Sequence, residues 1–343
     1  MLFNKKILYI VEDANWSIKW DGTYITKNLK KIFKINSCIL YYSKIKIIGK
    51  VKNKIIHFGS RSTFLPNQYK LLNGKNKIVF TWFHGTDEDR EYIEELTNAS
   101  KVANIIHTSC EISKNQLINW GVEEEKIEIV PLGVDLSLFK RVSLEEKNKI
   151  KDLIGIPVDH ICIGSFQKDG NGWGEGITPK LIKGPDVLCS VIEKLNKKFP
   201  VFVLLTGPAR GYVKNRLESN NIPFKHCYLE DYLDIPKYYN ALDYYIISSR
   251  AEGGPKAVLE CFASGIPFVS TRVGMANDII VNNANGLISE IDDVDDLTNN
   301  LTMLIEDSNL REKLVLNGIE TVKDFDWKKI TEQYYYKIYS KLL

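Results

Sequence analysis

The chain has 343 residues, of which 44% are apolar and 26% charged, with a formal net charge of +3. That length exceeds one ordinary hydrophobic core and predicts two domains, and the small net charge gives no reason to expect a nucleic-acid partner. No run of about 18 apolar residues occurs, which argues against a membrane-spanning helix. Cys38, Cys110, Cys162, Cys189, Cys227 and Cys261 show no Cys-x-x-Cys spacing. A reducing cytoplasm is therefore expected, without a zinc site or a disulfide frame.

Lys5-Lys6 and the short apolar run Ile7–Val11 lack a small-residue cleavage site, so the run reads as a first strand rather than a secretion signal. Residues 12–22 read as a polar loop holding Trp16 and Trp20. A helix is predicted from Thr23, with Ile25, Leu29, Ile32 and Phe33 on one face and Lys27, Lys30, Lys31 and Lys34 on the other. Such a basic face is ordinarily just solvated; the sharper reading is attraction to anionic lipid headgroups, at about 1 kcal/mol per Lys near the surface. The basic run 44–54 carries no assignable element. Strands are predicted at 55–58, 77–83 and 102–109, and helices at 91–100 and 112–120. The alternation predicts a parallel sheet with helices on both faces. Ligands of such sheets bind beyond the C-terminal strand ends, which puts Gly59-Ser60-Arg61, His84-Gly85-Thr86 and Ser109 on one rim. His57 and His107, nearer the strands, read as packed. Asp87-Glu88-Asp89 reads as a solvated helix start. Ile127–Asp135 closes this series, and the charged stretch 140–151 reads as a link.

A second series begins with a strand at 160–166. The run 170–176 is rich in glycine but lacks the third Gly of G-x-G-x-x-G, so it reads as a loop over a ligand or as a surface insertion. A helix follows over 187–195, with Pro185 and Asp186 in its first turn. Further elements are a strand at 201–206, a short helix at 235–242 and a buried strand at 244–247. The turn Glu252-Gly253-Gly254-Pro255 then leads into a helix carrying Ala257, Val258, Cys261 and Phe262, which Gly265-Ile266-Pro267 closes. Backbone N–H groups of Gly253, Gly254 and their neighbours would face an anion at this helix start. Glu252 and Glu260 would accept hydrogen bonds from the diols of a sugar and a ribose. Together they describe a nucleotide-sugar site; the alternative is an ordinary helix start with one exposed Glu. The tail 326–343 is predicted helical, with Trp327, Ile330, Tyr334, Ile338 and Leu342 on one face. No P-loop, G-x-S-x-G elbow, paired Cys–His signature or metal-spaced His pair is present, and no D-x-D metal motif occurs among plausible loops.

The stretch Ser249–Val269 reads S-R-x-E-G-x-P-x-x-x-L-E-x-x-A-x-G-x-P-x-V. Its E-x7-E spacing resembles the donor-site signature of the retaining GT-B glycosyltransferases of family 4 (glycosyl transferases group 1). IEIVPLGVD (127–135) resembles that family's I-P-N-G-V-D, with Leu132 in place of Asn. The resemblance spans nearly the whole chain and is strongest over 164–274. It implies an α/β GT-B fold of two Rossmann-like domains facing a central cleft: 1–145 for the acceptor, 146–324 for the nucleotide-sugar, and 325–343 as a C-terminal helix returning to the first domain. Lys183 matches the Lys of the family's diphosphate-clamping Arg–Lys pair. Ser165 stands where the Arg is usual, so Lys168 is the candidate replacement cation.

On the same basis the expected catalytic residues are His84, Glu252 and Lys183. Ser165, Lys168, Arg250, Gly253, Gly254, Pro255, Lys256 and Glu260 complete the expected donor site, and Gly22, Arg61 and His84 the acceptor side. The implied reaction is retaining, metal-independent transfer from an NDP-sugar, UDP- or GDP-linked, to a hydroxyl of a glycan or lipid-linked acceptor, with no cofactor. The setting would be the cytoplasm, at the inner face of the cell membrane where the basic helix makes peripheral contact. The alternative is a non-catalytic GT-B subunit that binds a glycan or a partner glycosyltransferase.

Overall fold

The structure is a computed structural model and describes residues 4–14, 17–65, 74–86 and 90–343. Trp16 and the helix start read at Asp87–Asp89 lie outside the described residues. The chain divides into two compact units: unit 1 comprises 1–133 and 324–343, unit 2 comprises 134–323.

Unit 1 is built on six parallel strands: β1 (Ile7–Val11), β2 (Ser37–Tyr41), β3 (Ile55–Phe58), β4 (Lys77–Thr81), β5 (Ile105–Thr108) and β6 (Ile127–Ile129). Their order is β2-β1-β3-β4-β5-β6. β1, β3 and β5 are buried on both faces, which explains the uninterrupted apolar sequence of β1 and the mostly apolar sequences of the other two, broken by His57, His107 and Thr108. The first helix runs Ser17–Phe33, so the expected loop 12–22 ends six residues early. Gly22 lies inside this helix and not in an acceptor loop. A Cβ there would stand 2.6 Å from the Tyr9 ring, so the missing side chain is what lets the helix lie on β1. Ile25, Leu29 and Phe33 form the inward stripe at four-residue spacing, and Ile32 falls off it into solvent. The unassigned basic run folds into a 3₁₀ segment, Tyr42–Lys50, that buries Ile45 and Ile48 beneath exposed Lys44, Lys46 and Lys50.

The C-terminal helix Trp327–Lys337 belongs to unit 1. Trp327, Ile330, Tyr334 and Ile338 are buried in one cluster with Tyr9, Ile25, Leu29 and Val130. Trp327 stacks on Tyr24 at 5.4 Å, and Asn28 donates to Thr331. Gly133 admits the Trp327 indole, which a Cβ would meet at 2.6 Å. Beneath the tail, His57 bonds the Tyr339 hydroxyl (2.6 Å) and Thr81 (2.8 Å). His107 bonds Thr81 (3.0 Å), Tyr334 (3.1 Å) and the Val130 carbonyl (2.9 Å). Both imidazoles are packed and fully hydrogen-bonded.

Unit 2 has a second parallel sheet of β7 (Ile161–Phe166), β8 (Val201–Thr206), β9 (Phe224–Cys227), β10 (Tyr244–Ile247), β11 (Phe268–Thr271) and β12 (Leu287–Ser289), in the order β12-β11-β10-β7-β8-β9. This is the doubly wound dinucleotide-fold order, and it reverses direction between β7 and β10. The stretch expected as a link is instead a helix, Leu144–Ile154. Ser143 caps its start by accepting from the Glu146 amide, and Gly155 ends it at φ +81°. It is anchored in unit 2, because Lys147 and Lys151 both reach Asp243. Phe139 packs on Tyr239 nearby. The boundary therefore falls at 133/134 rather than at 145/146. The helix Gly211–Ser219 and the half-buried edge strand β9 had no clear apolar period.

Candidate active site

In a parallel sheet the crevice opens where neighbouring strands diverge in connection, outside their C-terminal ends. In unit 2 that point lies after β7 and β10, and the segments leaving it are 167–183 and 248–255. They are stitched together by backbone. The amides of Arg250 and Ala251 donate to the Ile182 carbonyl at 2.9 and 3.2 Å, and Ser248 Oγ donates to the Gly184 carbonyl at 2.9 Å. Gly184 has φ +60°, and a Cβ on it would stand 1.8 Å from the Ser248 carbonyl oxygen. Only glycine permits this approach.

The stitching brings Lys183 to Glu252. Lys183 Nζ donates to Glu252 Oε1 at 2.5 Å, and Ser249 Oγ donates to the same oxygen at 3.0 Å. The two side chains are 15% and 14% exposed, dry enough for the charges to matter and open enough to meet a ligand. Gln167 Nε2 holds the Lys183 carbonyl at 3.0 Å. Gly253 gives its carbonyl to the Met275 amide, and Gly274 leaves room for the Glu252 carbonyl, which a Cβ would meet at 2.2 Å. These contacts fix the turn that carries Glu252.

The helix after the turn spans Lys256–Ser264; Pro255 occupies its N-cap and no side chain caps that end. Glu260 is buried one face down. Its Oε1 accepts from the Tyr232 hydroxyl at 2.5 Å and its Oε2 from the Tyr239 hydroxyl at 2.7 Å. Burial pushes the Tyr239 phenol well above its ordinary range, so it stays a proton donor at every accessible pH. The pair orients the carboxylate and keeps it an acceptor.

Three expected donor residues are placed elsewhere. Arg250 turns away from Glu252: it forms a fork on Asp186 (2.8 and 2.7 Å), its Nε meets Asp292 at 2.7 Å, and it donates to the Leu181 carbonyl. Ser165 is 1% exposed and closed off by Arg210, which donates to its carbonyl at 2.6 Å and its hydroxyl at 3.1 Å. Lys168 lies over the exposed Trp173 ring at 3.7 Å, and burial lowers its pKa. Arg210 and Asp169 form an ion pair at 2.9 Å with both side chains fully buried. Around it the loop is fastened: Gly211 and Tyr212 amides donate to the Glu175 and Gly176 carbonyls, and Gly170 and Gly176 pack on Ala209. The glycine-rich run is thus pinned at its ends, with only its Trp173 tip projecting.

In unit 1 the sheet reverses between β1 and β3. Ser60, after β3, donates to Glu12, after β1, at 2.8 Å. Arg61 follows, with its guanidinium over the Trp82 and Tyr92 rings and one N–H directed at the His84 carbonyl. Arg61 and His84 are therefore neighbours, as their shared rim requires, while Gly22 is sealed against Tyr9. Tyr232, Tyr239, Ser249, Gln167 and the Asp169–Arg210 pair were not among the expected site residues. Except for Ser249, which opens the S-R-x-E stretch and bonds Glu252 three residues on, each is tied to the site by contacts at least 16 residues apart in sequence, and no local motif marks them.

The two doubly wound parallel sheets define an α/β protein of the GT-B fold. Crystallised Anabaena HepE, solved with UDP and glucose, shares it at a TM-score of 0.80 with 16% identity, over 98% of this chain and 100% of that one. Residues 178–321 match the family model of glycosyl transferases group 1. Two curated relatives are informative. The Escherichia coli UDP-Gal:alpha-D-GlcNAc-diphosphoundecaprenol alpha-1,3-galactosyltransferase is 26% identical, over 90% of this chain and 81% of its own length. The Campylobacter jejuni N,N'-diacetylbacillosaminyl-diphospho-undecaprenol alpha-1,3-N-acetylgalactosaminyltransferase is 30% identical, over 66% of this chain and 57% of its own length. Of several other curated relatives the chain spans about half the length.

Proposed function

We propose that this chain transfers a sugar from a nucleoside-diphosphate sugar, UDP-linked or GDP-linked, to a hydroxyl of a lipid-linked or polysaccharide acceptor, with retention and without a metal. The observation that carries the reading is the Lys183–Glu252 pair beside the oriented Glu260, at the strand-order reversal of unit 2. The relatives' names support the donor and acceptor classes: one uses UDP-Gal, and both act on diphosphoundecaprenol-linked sugars.

The pair is a poised exchange. Donor binding draws Lys183 from Glu252 onto the diphosphate, and the released carboxylate accepts hydroxyls of the donor sugar. As the glycosidic bond breaks, negative charge grows on the leaving diphosphate. Lys183 and the N-terminus of helix Lys256–Ser264 stabilise it. Glu260 holds the ribose diol. His84 and Arg61 act at the acceptor side. The leaving phosphate oxygen takes the acceptor proton, and attack on the same face of the sugar gives retention. Among the described residues no cluster of three His, Cys, Asp or Glu side chains is arranged to hold a metal ion.

Replacing Glu252 with Ala tests the mechanism. Transfer from the accepted donor should fall by about 10²–10³ in kcat with unchanged circular dichroism. Activity equal to the parent would remove Glu252 from it.

Peripheral membrane contact is part of the proposal. No described helix is long and apolar enough to cross a membrane. Lys27, Lys30 and Lys31 are exposed on the first helix, and Lys34 just past its end, beside exposed Ile32. Cosedimentation with vesicles containing anionic lipid should be lost on replacing these lysines with Gln, and on raising salt. Equal binding to neutral vesicles would exclude this face.

A further inference from the structure

We propose that unit 2 carries a second binding site, on the edge of its sheet opposite the donor site, for a small anion that also bears hydroxyl groups. A cavity of about 430 Å³ lies there, within the range of small-molecule sites. It touches Ile161 and Tyr244, the first residues of β7 and β10, and Pro267, immediately before β11. In a parallel sheet these are the N-terminal strand ends, whereas Lys183 and Glu252 follow the C-terminal ends. The two sites therefore share no residue. This inference stands on the cavity alone and does not depend on the transferase reading.

Two buried polar side chains line the cavity without a hydrogen-bond partner: Asn240 through Oδ1, 8% exposed, and Ser264 through Oγ, 1% exposed. Leaving such groups unpaired costs about 1–3 kcal/mol each, so a wall that retains both is suited to a ligand that pairs them. The charges of the wall are unbalanced. Arg141 is held by Glu312 through two 2.9 Å bonds. Lys147 and Lys151 share the single carboxylate of Asp243 at 2.8 and 2.5 Å. Arg311 uses Nη1 on the Tyr244 hydroxyl and on the carbonyls of Leu304 and Ile305, and has no carboxylate partner among the described residues. Three lining cations, Arg141, Lys147 and Arg311, thus face two lining carboxylates, Asp243 and Glu312, and the spare guanidinium edge of Arg311 suits an oxyanion. Leu144, Ile266 and Val315 supply apolar wall. A ligand with one anionic group for Arg311 and hydroxyls for Ser264 and Asn240 satisfies every unmet group. Phosphorylated sugars and polyhydroxy carboxylates both have that chemistry.

The test is calorimetric titration of the full chain with glucose 6-phosphate, gluconate, glucose and inorganic phosphate, repeated on Arg311→Met, Ser264→Ala and Lys183→Ala. Glucose 6-phosphate or gluconate should bind, and whichever binds names the source of the anion. Glucose and phosphate alone should bind at least about tenfold more weakly. Arg311→Met and Ser264→Ala should each weaken binding about tenfold or more, while Lys183→Ala leaves it unchanged. Ser264→Ala removes one oxygen and carries the test if Arg311→Met does not fold. The proposal is overturned if neither hydroxylated anion binds, if phosphate alone binds equally well, if Ser264→Ala binds as the parent does, or if Lys183→Ala abolishes binding and so places the probe in the donor site.

Discussion

Glu252 and Lys183 meet across 69 residues of sequence, yet both were legible. Each sits in a short pattern with a physical purpose: an acid ahead of a glycine-rich helix start, and a Lys before the Gly that lets a helix abut the next strand. Arg250 shows the limit of that kind of reading. A cation two residues before Glu252 invites a phosphate role, but Asp186 and Asp292, which claim the guanidinium, are distant in sequence. Arg210 shows it from the other side, because the residue that matters is its buried partner. Burial pushes the Asp169 carboxyl up and Arg210 pulls it back. Arg210→Met would leave that carboxylate alone in the core and should cost about 3–5 kcal/mol in urea unfolding. Adding Asp169→Asn should recover much of the loss. If the single substitution costs under about 1 kcal/mol, the pair does not fasten the loop.

Elements with strong periodicity were legible, and those defined by capping or by an edge position were not. The helix Leu144–Ile154 was hidden by its charge, although Ser143 and Gly155 mark its ends. β2 and β9 lie next to or at sheet edges and bury only part of their side chains, so they lack a continuous apolar run. The helix Trp327–Lys337 was legible because one aromatic face must find a core. That helix seals His57 and His107, and burial holds both imidazoles neutral: His57 well below its ordinary pKa, His107 down to about 4. An unfolded chain protonates them near pH 6.5, so below that value the unfolded state binds more protons. Stability is therefore complete above about pH 6.5 and declines as pH falls toward 4, by up to about 1.4 kcal/mol per pH unit for each imidazole. Thermal melts from pH 7 to 4.5 should show this decline, and His107→Gln should flatten it. A melting temperature that rises on acidification would contradict the buried neutral assignment.

At the scale of the molecule, the alternation of strands and helices was enough to give two parallel sheets. The strand orders were not legible, and they are what place the crevices: after β1 and β3 in unit 1, and after β7 and β10 in unit 2. The family match over 178–321 falls within unit 2, which carries Lys183, Glu252 and Glu260. The central claim is that this unit binds a nucleoside diphosphate through Lys183. It is tested by thermal denaturation of the full chain, with EDTA present, against UDP, GDP, ADP and phosphate, in the parent and in Lys183→Ala. UDP or GDP should raise the midpoint of the parent, with about 2.7 kcal/mol of stabilisation at 100 times the dissociation constant, and the variant should lose that response. A folded parent that no nucleotide stabilises, or a variant that responds as strongly as the parent, would contradict the assignment of the donor site.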